Sequence, residues 1–391
     1  MRCRFLVLFL NPTTKTDAMR FSELSLVKHR VRLGAPLPFN VRAADETLLL
    51  ARGQVIADSE QLGALMSRGA LVDIAELGDM RLDVEAAAPS QLPQLWTQCL
   101  NKVGDVLMSA EGESFREALE DAVEPVQQLI RRDPDLAVFQ VVQQQAGESL
   151  AYGVKRSLQS AVTSFLVARR LGWSVDESGR ALKAALTMNL SMLELQGVLA
   201  QQCTPVTPDQ RAGIRSHPLR SVQILERAGV TDPDWLAAVA QHHEEQDGSG
   251  YPSGRTDVHE LAALLHRADV YTAKLSPRAN RDAIAADRAG RQMFMQDPGH
   301  PMTAALVKEF GVYPPGCHVR LASGETAIVL KRGTTITTPT VVALSDTAGQ
   351  SYPHPIRRDT ALPGYGIAGV LGSARASARE SAERLLPLVM A

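Results

Sequence analysis

The feature that most constrains the fold is a helical pattern that runs from about residue 95 to residue 310. One segment opens with Thr207-Pro208 and ends at Gly229, and the next segment, which opens at Asp232, repeats that order. A polar N-cap followed by proline starts a helix, and glycine commonly ends one. This stretch is therefore predicted to be a helical domain.

Shorter β patterns flank the helical region. Residues 27–84 hold two apolar stretches around a polar turn and then a helix capped by Asp58 or Ser59, which predicts a small α+β accessory module. Residues 85–94, rich in Ala, Pro and Gln, are expected to form a linker. Residues 311–372 alternate apolar and polar side chains around glycine turns, which predicts a β appendage.

The two ends of the chain carry weaker patterns. The first apolar run is shorter than the core of a signal peptide and no cleavage site follows it. Residues 1–26 are therefore expected to be unstructured or a mis-annotated start, with Met19 as the true initiator. Residues 373–391 are expected to form a tail or a weak helix. No segment carries the roughly 18 consecutive apolar residues of a membrane span.

Composition bounds the class of protein. The 391 residues are 45% hydrophobic and 21% charged, and the formal net charge is -2. These values are ordinary for a globular protein, and they give no basic surface for nucleic acid. The four cysteines have no CxxC spacing, which disfavours a zinc ribbon or a disulfide framework. We expect a cytoplasmic protein of two or three modules that does not bind nucleic acid.

The string with the most chemical content is HHEEQDGSGYP, which runs from His242 to Pro252. Imidazoles and carboxylates on packed helices are the usual ligands of divalent cations in such folds. His217 and Asp269 also fall on predicted helices in the same stretch of the chain. Because neighbouring side chains on a helix diverge, His242 and His243 are expected to serve different metals or different faces of one cluster.

Single residues of this string also have structural explanations. A histidine beside a proline, as His217 is, is more often a surface or capping residue. The combined pattern is what indicates function. Gly248 and Gly250 are expected to supply positive φ angles in the turn, and Tyr251-Pro252 is expected to form a rigid aromatic tip.

These motifs resemble the HD-GYP family, a branch of the HD phosphohydrolases whose members hydrolyse cyclic di-GMP with two or three metal ions. The resemblance covers roughly residues 147–372. It implies a mainly α fold: an HD-type helical bundle over residues 95–310, with a small N-terminal α+β module and a short C-terminal β appendage. It also implies four metal ligands, which are His217, His242, His243 and Asp269.

The resemblance extends to substrate and partner contacts. In the family, basic residues after the last metal ligand hold the substrate phosphates, which implies this role for Arg278 and Arg281. The family's Gly-Tyr-Pro tip is linked to contacts with GGDEF-type diguanylate cyclases. Gly250, Tyr251 and Pro252 are accordingly expected to form a protein-interaction site, with Tyr251 as an exposed anchor.

The chain departs from the family at the other ligand positions. Arg156, Met188 and Asn189 stand where the family has metal ligands, and Thr272 replaces a common second aspartate. A thioether suits hard cations poorly, an amide is neutral, and arginine is a permanent cation. Two like unit charges ~4 Å apart repel by about 4 kcal/mol at an effective dielectric of about 20, and a divalent ion doubles that. We expect either no metal or one divalent ion of Fe, Mn or Zn.

Two functions remain open. The first is a degenerate, non-catalytic HD-GYP domain protein of bacterial cyclic di-GMP signalling. It would dock GGDEF-type cyclases or other signalling proteins, or bind cyclic di-GMP with Arg156, Arg278 and Arg281. The second is a metal-dependent phosphohydrolase with residual cyclic di-GMP phosphodiesterase activity, for which Glu244 and Asp247 are candidate bases. Arg156 also has a plain alternative as a surface residue of its helix.

Overall fold

The computed structural model describes residues 21–24, 31, 33–73, 84, 87–112, 114–143 and 152–371 of the chain. The chain divides into two compact units, Met1–Asp83 and Val84–Ala391. Most of the start that is predicted to be unstructured, and the tail predicted at 373–391, lie outside the described residues. The predictions for those segments therefore stay predictions.

The described residues of the first unit form a four-stranded antiparallel sheet and one helix. Its elements are β1 (Phe21–Glu23), β2 (Val41–Arg42), β3 (Leu48–Leu50), α1 (Ser59–Ser67) and β4 (Leu71–Asp73). The strand order is β1-β4-β2-β3, and the core between sheet and helix includes the fully buried Phe39, Ile56 and Val72. Burying these side chains is what holds so small a unit together.

The sequence predicts this unit well, apart from its first residue. The β2–β3 hairpin is present, and the Asp58 carboxylate accepts the Gln61 backbone N–H at 2.8 Å as the helix cap. Both predictions are confirmed. The predicted start at residue 27 is too late, because Phe21–Glu23 pairs with Leu71–Asp73 as an outer strand of the sheet.

The second unit is a helical domain, as the pattern predicts. Its helices are α2 (Leu92–Met108), α3 (Phe115–Arg132), α4 (Pro134–Gln143), α5 (Tyr152–Arg170), α6 (Val175–Thr187), α7 (Leu193–Gln201), α8 (Pro208–Arg227), α9 (Pro233–Gln241), α10 (Glu260–Leu275), α11 (Ala286–Gln296) and α12 (Pro301–Phe310). The predicted linker at 85–94 overlaps the start of α2. Pro93 occupies the first turn of that helix, where a missing N–H costs nothing, so proline there does not indicate a linker.

The helix caps follow the sequence rules. The Thr207 hydroxyl accepts the Gln210 N–H at 3.2 Å at the start of α8. The Asp232 carboxylate accepts the Trp235 N–H at 3.1 Å at the start of α9. Both predicted N-caps are confirmed, and proline follows each of them. The end of α9 differs from the prediction, because the helix stops at Gln241 rather than continuing to Gly248.

Helix α5 is enclosed by other helices and positions the most unusual residue of the chain. It packs against α4, α6, α7, α10 and α12. At Gly153 an added Cβ would lie 2.3 Å from the Leu193 carbonyl oxygen, so glycine permits the close approach of α7. Arg156 is consequently buried, and its alternative as a surface residue is wrong. Within the described ranges, none of the helices combines the length and apolar character needed to cross a bilayer.

A five-stranded antiparallel sheet follows the helices. Its strands are β5 (His318–Leu321), β6 (Thr326–Lys331), β7 (Thr340–Ser345), β8 (Ser351–Asp359) and β9 (Ile367–Leu371), in the order β8-β7-β6-β5-β9. The predicted β appendage is confirmed. Strand β8 is not predicted from the sequence, and it contains Pro353 and Pro355. Proline is tolerated in this strand because the strand lies at an edge of the sheet.

Candidate functional site

Three histidines from two neighbouring helices meet in one group. His217 lies on α8, while His242 and His243 follow directly after the last residue of α9. One ring nitrogen from each lies within 4.8 Å of the others. We call these three residues the histidine group.

The expected divergence of His242 and His243 is wrong. Because α9 ends at Gln241, the two residues lie in the turn that follows, and their ring centroids are 4.2 Å apart. Both rings can therefore face His217, whose centroid lies 5.0 Å from that of His242 and 5.1 Å from that of His243.

Backbone carbonyls fix the tautomers of two of these rings. The Nδ1 of His217 donates to the Ile214 carbonyl oxygen at 2.6 Å, and the Nδ1 of His242 donates to the Val239 carbonyl oxygen at 2.8 Å. A neutral imidazole carries one proton, so both Nε2 atoms are unprotonated. These two atoms face each other at 3.1 Å. Two opposed lone pairs repel each other unless a cation is shared between them.

A metal ion fits this arrangement better than a proton. Burial lowers the pKa of His217 to about 4. The pKa of His242 lies well below the usual value because of burial and the neighbouring His243 and His217. At neutral pH the group is therefore uncharged. Since Zn–N bonds are about 2.0–2.1 Å, two nitrogens on one ion lie within roughly 4.2 Å of each other. The separation of the two Nε2 atoms meets that requirement, so the donor set fits one borderline divalent ion.

Asp269 on α10 does not join the histidine group. Its Oδ1 accepts the Arg156 Nη2 at 2.6 Å and the Ser160 hydroxyl at 3.2 Å. Arg156 Nη2 also donates to the Asp269 backbone carbonyl at 3.0 Å. Burial alone would raise the pKa of Asp269, but Arg156 and His242 outweigh it and the pKa is lowered. The carboxylate is therefore ionised, and its counter-charge is a guanidinium.

Met188 and Asn189 are both buried, where α6 ends and a short turn begins. Met188 caps the end of α6 with no exposed surface, and Asn189 is 2% exposed at the start of the next short turn. The adjacent Ser191 hydroxyl donates to the His217 carbonyl at 3.0 Å, which ties this turn to α8. That these two residues stand at lost ligand positions stays a prediction; a thioether and a neutral amide would bring no anionic ligand there.

The Gly-Tyr-Pro loop, residues 248–255, folds back onto His243. The Tyr251 ring stacks on the His243 ring with centroids 4.6 Å apart, and the Tyr251 N–H donates to the His243 carbonyl at 3.0 Å. Tyr251 is therefore half-buried, and the prediction of a freely exposed anchor is wrong. Burial and the nearby Asp269 raise the pKa of its hydroxyl. The following peptide bond to Pro252 is cis.

The two glycines of this loop have different roles. Gly248 has a φ of +77°, as expected. Gly250 does not have a positive φ, but an added Cβ would lie 2.5 Å from the His243 carbonyl oxygen and 2.5 Å from the Glu245 nitrogen. Glycine at position 250 therefore allows the loop backbone to lie directly on the backbone beside the histidine group.

The two candidate bases, Glu244 and Asp247, accept hydrogen bonds from backbone N–H groups of this loop. The buried Glu244 carboxylate accepts the Ser253 N–H at 2.7 Å and the Arg255 N–H at 3.1 Å. The exposed Asp247 carboxylate accepts the Ser249 N–H at 2.9 Å within a turn. Both acidic groups are thus engaged in holding the loop, as local side-chain acceptors commonly are.

His266 is a site residue that the sequence analysis misses. Its Nδ1 donates to the His242 carbonyl at 2.9 Å, and its Nε2 lies 3.2 Å from a Glu245 carboxylate oxygen. It therefore positions the backbone of the histidine group. The available signal is its spacing, because residues three apart on a helix share a face and His266 precedes Asp269 by three.

The predicted phosphate ligands Arg278 and Arg281 lie in an exposed turn after α10. The Arg278 N–H donates to the Arg281 carbonyl at 2.8 Å. The Arg281 Nη2 donates to the Ala273 carbonyl at 2.5 Å, over the end of α10. Burial, then Arg278 and Arg156, lower the pKa of Arg281. The positive charges of Arg278 and Arg156 therefore act on Arg281, but a phosphate-binding role for these three residues stays a prediction.

Comparison with known proteins gives consistent matches. A family model described as an HD domain matches residues 140–296. A cyclic di-GMP phosphodiesterase of Pseudomonas aeruginosa is 26% identical over 227 residues, which cover 56% of this chain and 54% of that protein. The cyclic di-GMP phosphodiesterase response regulator RpfG of Xanthomonas campestris pv. campestris is 28% identical over 134 residues, which cover 34% of this chain and 35% of that protein.

A solved structure of an HDG"Y"P protein from Bdellovibrio bacteriovorus is also similar, at a TM-score of 0.48 and 16% identity. That match covers 74% of this chain and 98% of the other. The chain spans about half the length of the Pseudomonas relative and about a third of RpfG.

Proposed function

We propose that this chain, a member of the HD superfamily related to its HD-GYP branch, is a cyclic di-GMP signalling protein that binds its ligand or partner without hydrolysing it. The observation that carries this proposal is the ion pair between Arg156 and Asp269, with 2.6 Å between Nη2 and Oδ1. A guanidinium does not lose its proton in proteins. The carboxylate that the family resemblance would give to a metal is therefore already neutralised by the chain itself.

The energetics oppose a second metal ion beside this pair. A divalent ion ~4 Å from the guanidinium would be repelled by about 8 kcal/mol at an effective dielectric of about 20. Opening the pair instead would leave a buried charge without its partner, which costs about 3–5 kcal/mol. Among the described residues, the histidine group remains as a place for one ion. Hydrolysis that needs two bridged ions is not supported by this donor set.

The chain's own residues support binding better than turnover. A divalent ion on His217, His242 and His243 would supply Lewis acidity toward a phosphoryl oxygen. A hydrolase also needs a group that accepts a proton from water. Three carboxylates of this region are engaged elsewhere: Asp269 pairs with Arg156, Glu244 accepts hydrogen bonds from the Gly-Tyr-Pro loop, and Glu245 lies beside His266.

The ligand class comes from the relatives. Both curated relatives named above are cyclic di-GMP phosphodiesterases, and we extend cyclic di-GMP to this chain as its proposed ligand. GGDEF-type cyclases or other signalling proteins are the proposed partners of the Gly-Tyr-Pro loop. The alternative function is a residual phosphodiesterase, and the histidine group is the observation that favours it, because one metal ion fits there.

The deciding experiment measures metal content and turnover on the same protein. Wild type, loaded with Mn²⁺, Fe²⁺ or Zn²⁺, is expected to hold at most one ion per chain and to leave cyclic di-GMP intact. The triple variant Arg156→His, Met188→His and Asn189→Asp restores the family's donors. It is expected to take up a second ion and to gain turnover. Hydrolysis by the wild type at a rate that depends on His217 would refute the proposal and establish the alternative.

A further inference from the structure

Helix α11 has an outward face that combines two arginines with two exposed apolar side chains. Arg288 and Arg291 are exposed, and so are Phe294 at 43% and Met295 at 71%. The other side of the helix packs into the domain through its buried residues, which are Ala286, Ala289, Gly290 and Met293. We call the four exposed residues the α11 face.

The charges of the α11 face are not balanced from within the chain. Across the described ranges, neither Arg288 nor Arg291 forms an ion pair with a carboxylate. A third cation lies at the side of the face, because Lys274 Nζ donates to the Gln292 side-chain oxygen at 3.2 Å. Arginine, methionine and phenylalanine are the residue types that protein interfaces favour. The composition therefore favours a protein partner whose surface is acidic.

Helix α3 of the same domain carries a surface of the opposite sign. Its exposed carboxylates recur every three or four residues on one side of the helix, at Glu117, Glu120, Asp121 and Glu124. Glu117 pairs with Arg116 and Glu120 pairs with Lys183, each at 2.7 Å. Asp121 and Glu124 form no ion pair in the part of the chain that the structure describes. We call the four carboxylates the α3 stripe. Like charges at these spacings repel one another, so a cationic partner would stabilise the stripe.

The two surfaces match in length and in polarity. Arg288 and Met295 are seven positions apart, and so are Glu117 and Glu124, which corresponds to about 10 Å along a helix. In an antiparallel packing of the two helices, Arg288 would lie opposite Glu124, and Met295 would lie opposite the start of α3. Met108, which ends α2 just before α3, is 52% exposed and offers an apolar contact there.

We propose that the α11 face of one copy of the chain packs against the α3 stripe of a second copy, in a two-fold dimer that contains this contact twice. In a two-fold interface, a contact of residue i with residue j recurs as a contact of j with i. The two surfaces lie on different helices, so each copy offers both of them to the other. Opposite charges on facing surfaces fix the partner and its orientation. This proposal does not depend on the proposed function.

Sedimentation equilibrium of the full chain in low-salt buffer tests the dimer. Wild type is expected to be a dimer that dissociates as salt is added, because exposed charges are screened. Two charge reversals are compared with it: Arg288→Glu with Arg291→Glu on the α11 face, and Asp121→Arg with Glu124→Arg on the α3 stripe. Each reversal is expected to weaken the dimer by at least about tenfold, because both copies of the contact then bring like charges together.

Mixing the two reversed proteins is the decisive step. In an equimolar mixture the reversed α11 face meets the reversed α3 stripe, and the second contact of the same dimer is unchanged. The mixture is therefore expected to form dimers with the stability of wild type. Recovery of the dimer also shows that both reversed proteins are folded, so that unfolding does not explain the loss in either one alone.

Matched changes elsewhere on the surface are the controls. Arg220→Glu with Arg227→Glu reverses two exposed arginines of α8, which are also seven positions apart, and is expected to leave the dimer unchanged. Met295 and Ile336 are exposed to similar extents, at 71% and 75%. Met295→Ser is expected to weaken the dimer, whereas Ile336→Ser is not.

Three results would overturn the proposal. The first is a wild type that stays monomeric up to about 100 μM, a concentration that populates any dimer of micromolar affinity. The second is a dimer that survives both reversals, or a mixture that stays monomeric. The third is a series of polymers that grows with concentration, because it would exclude the closed two-fold arrangement. The turnover measurement on cyclic di-GMP decides the proposed function separately.

Discussion

The histidine group and the Arg156–Asp269 pair are close enough for their charges to interact, yet they differ in the source of the cation that balances them. In the histidine group two unprotonated nitrogens face each other at 3.1 Å, so a cation from outside would stabilise it. The pair contains its own cation, held at 2.6 Å by a carboxylate. The difference teaches that two neighbouring groups of titratable side chains can have their charges balanced separately, one by a cation within the chain and the other by a cation from outside.

The largest expected effect comes from breaking the pair. Arg156→Met leaves Asp269, whose side chain is 19% exposed, without a counter-charge and is expected to lower the free energy of unfolding by about 3–5 kcal/mol. Urea denaturation measures it. Added Zn²⁺ or Mn²⁺ is expected to restore part of the loss, because Asp269 becomes free to bind metal.

The control for that variant is an ion pair at the surface. Arg180 pairs with Asp232 at 2.7 Å, but both side chains are about one third exposed. Arg180→Met is therefore expected to cost less than about 1 kcal/mol. Equal losses in the two variants would show that the Arg156 pair has no special place in the site.

The next effect concerns the histidine group itself. His217→Ala removes one of the three candidate nitrogen ligands. It is expected to weaken Zn²⁺ binding by more than about 100-fold, which is more than the loss of a residue that only supports the ligands would cause. Competition with a chelating dye measures the affinity. The exposed His354→Gln is the control and should bind like wild type. An unchanged affinity in His217→Ala would place the metal elsewhere.

A smaller effect tests the loop that lies on the histidine group. Gly250→Ala puts a Cβ 2.5 Å from the backbone at His243, so the free energy of unfolding is expected to fall by roughly 1–3 kcal/mol. At Gly197, on α7, an added Cβ meets nothing within 4 Å. Gly197→Ala should be neutral or stabilising by about 0.5–1 kcal/mol. Thermal denaturation of both proteins decides, and a neutral Gly250→Ala would contradict the close approach.

The smallest effect sharpens the role of His266. This residue holds the His242 carbonyl at 2.9 Å without offering a nitrogen to the group. His266→Gln is expected to weaken Zn²⁺ binding by about tenfold, in the range of supporting residues around a metal site. The same dye competition measures it. A loss as large as that of His217→Ala would instead make His266 a ligand.

Features set by short-range interactions could be predicted from the sequence, and features set by contacts between distant segments could not. Caps act over three residues, so Thr207 and Asp232 predict the starts of α8 and α9 correctly. The end of α9 is not determined by such short-range interactions. The chain leaves the helix at Gln241 because the Gly-Tyr-Pro loop returns to bond with the backbone at His243, which helical periodicity does not register.

The contacts between polar side chains inside the site could not be predicted from the sequence either, because they join residues far apart in the chain. Arg156 and Asp269 are separated by 113 positions, and only the packing of α5 against α10 brings them together. The sequence identifies Arg156 as unusual but leaves its setting open between surface and site. The buried Tyr152 hydroxyl has no hydrogen-bond partner among the described residues, and no sequence pattern indicates this, since an unpaired buried donor is defined by what surrounds it.

The close contact at Gly250 also couples the Gly-Tyr-Pro loop to the histidine group. Tyr251 shares a hydrogen bond and a ring stack with His243, so the loop and a member of the histidine group cannot move independently. A partner bound to the loop would therefore have an affinity that depends on what the histidine group binds. By thermodynamic reciprocity the same partner would change the affinity of the histidine group by an equal factor. Such a loop would report the occupancy of the interior to another protein.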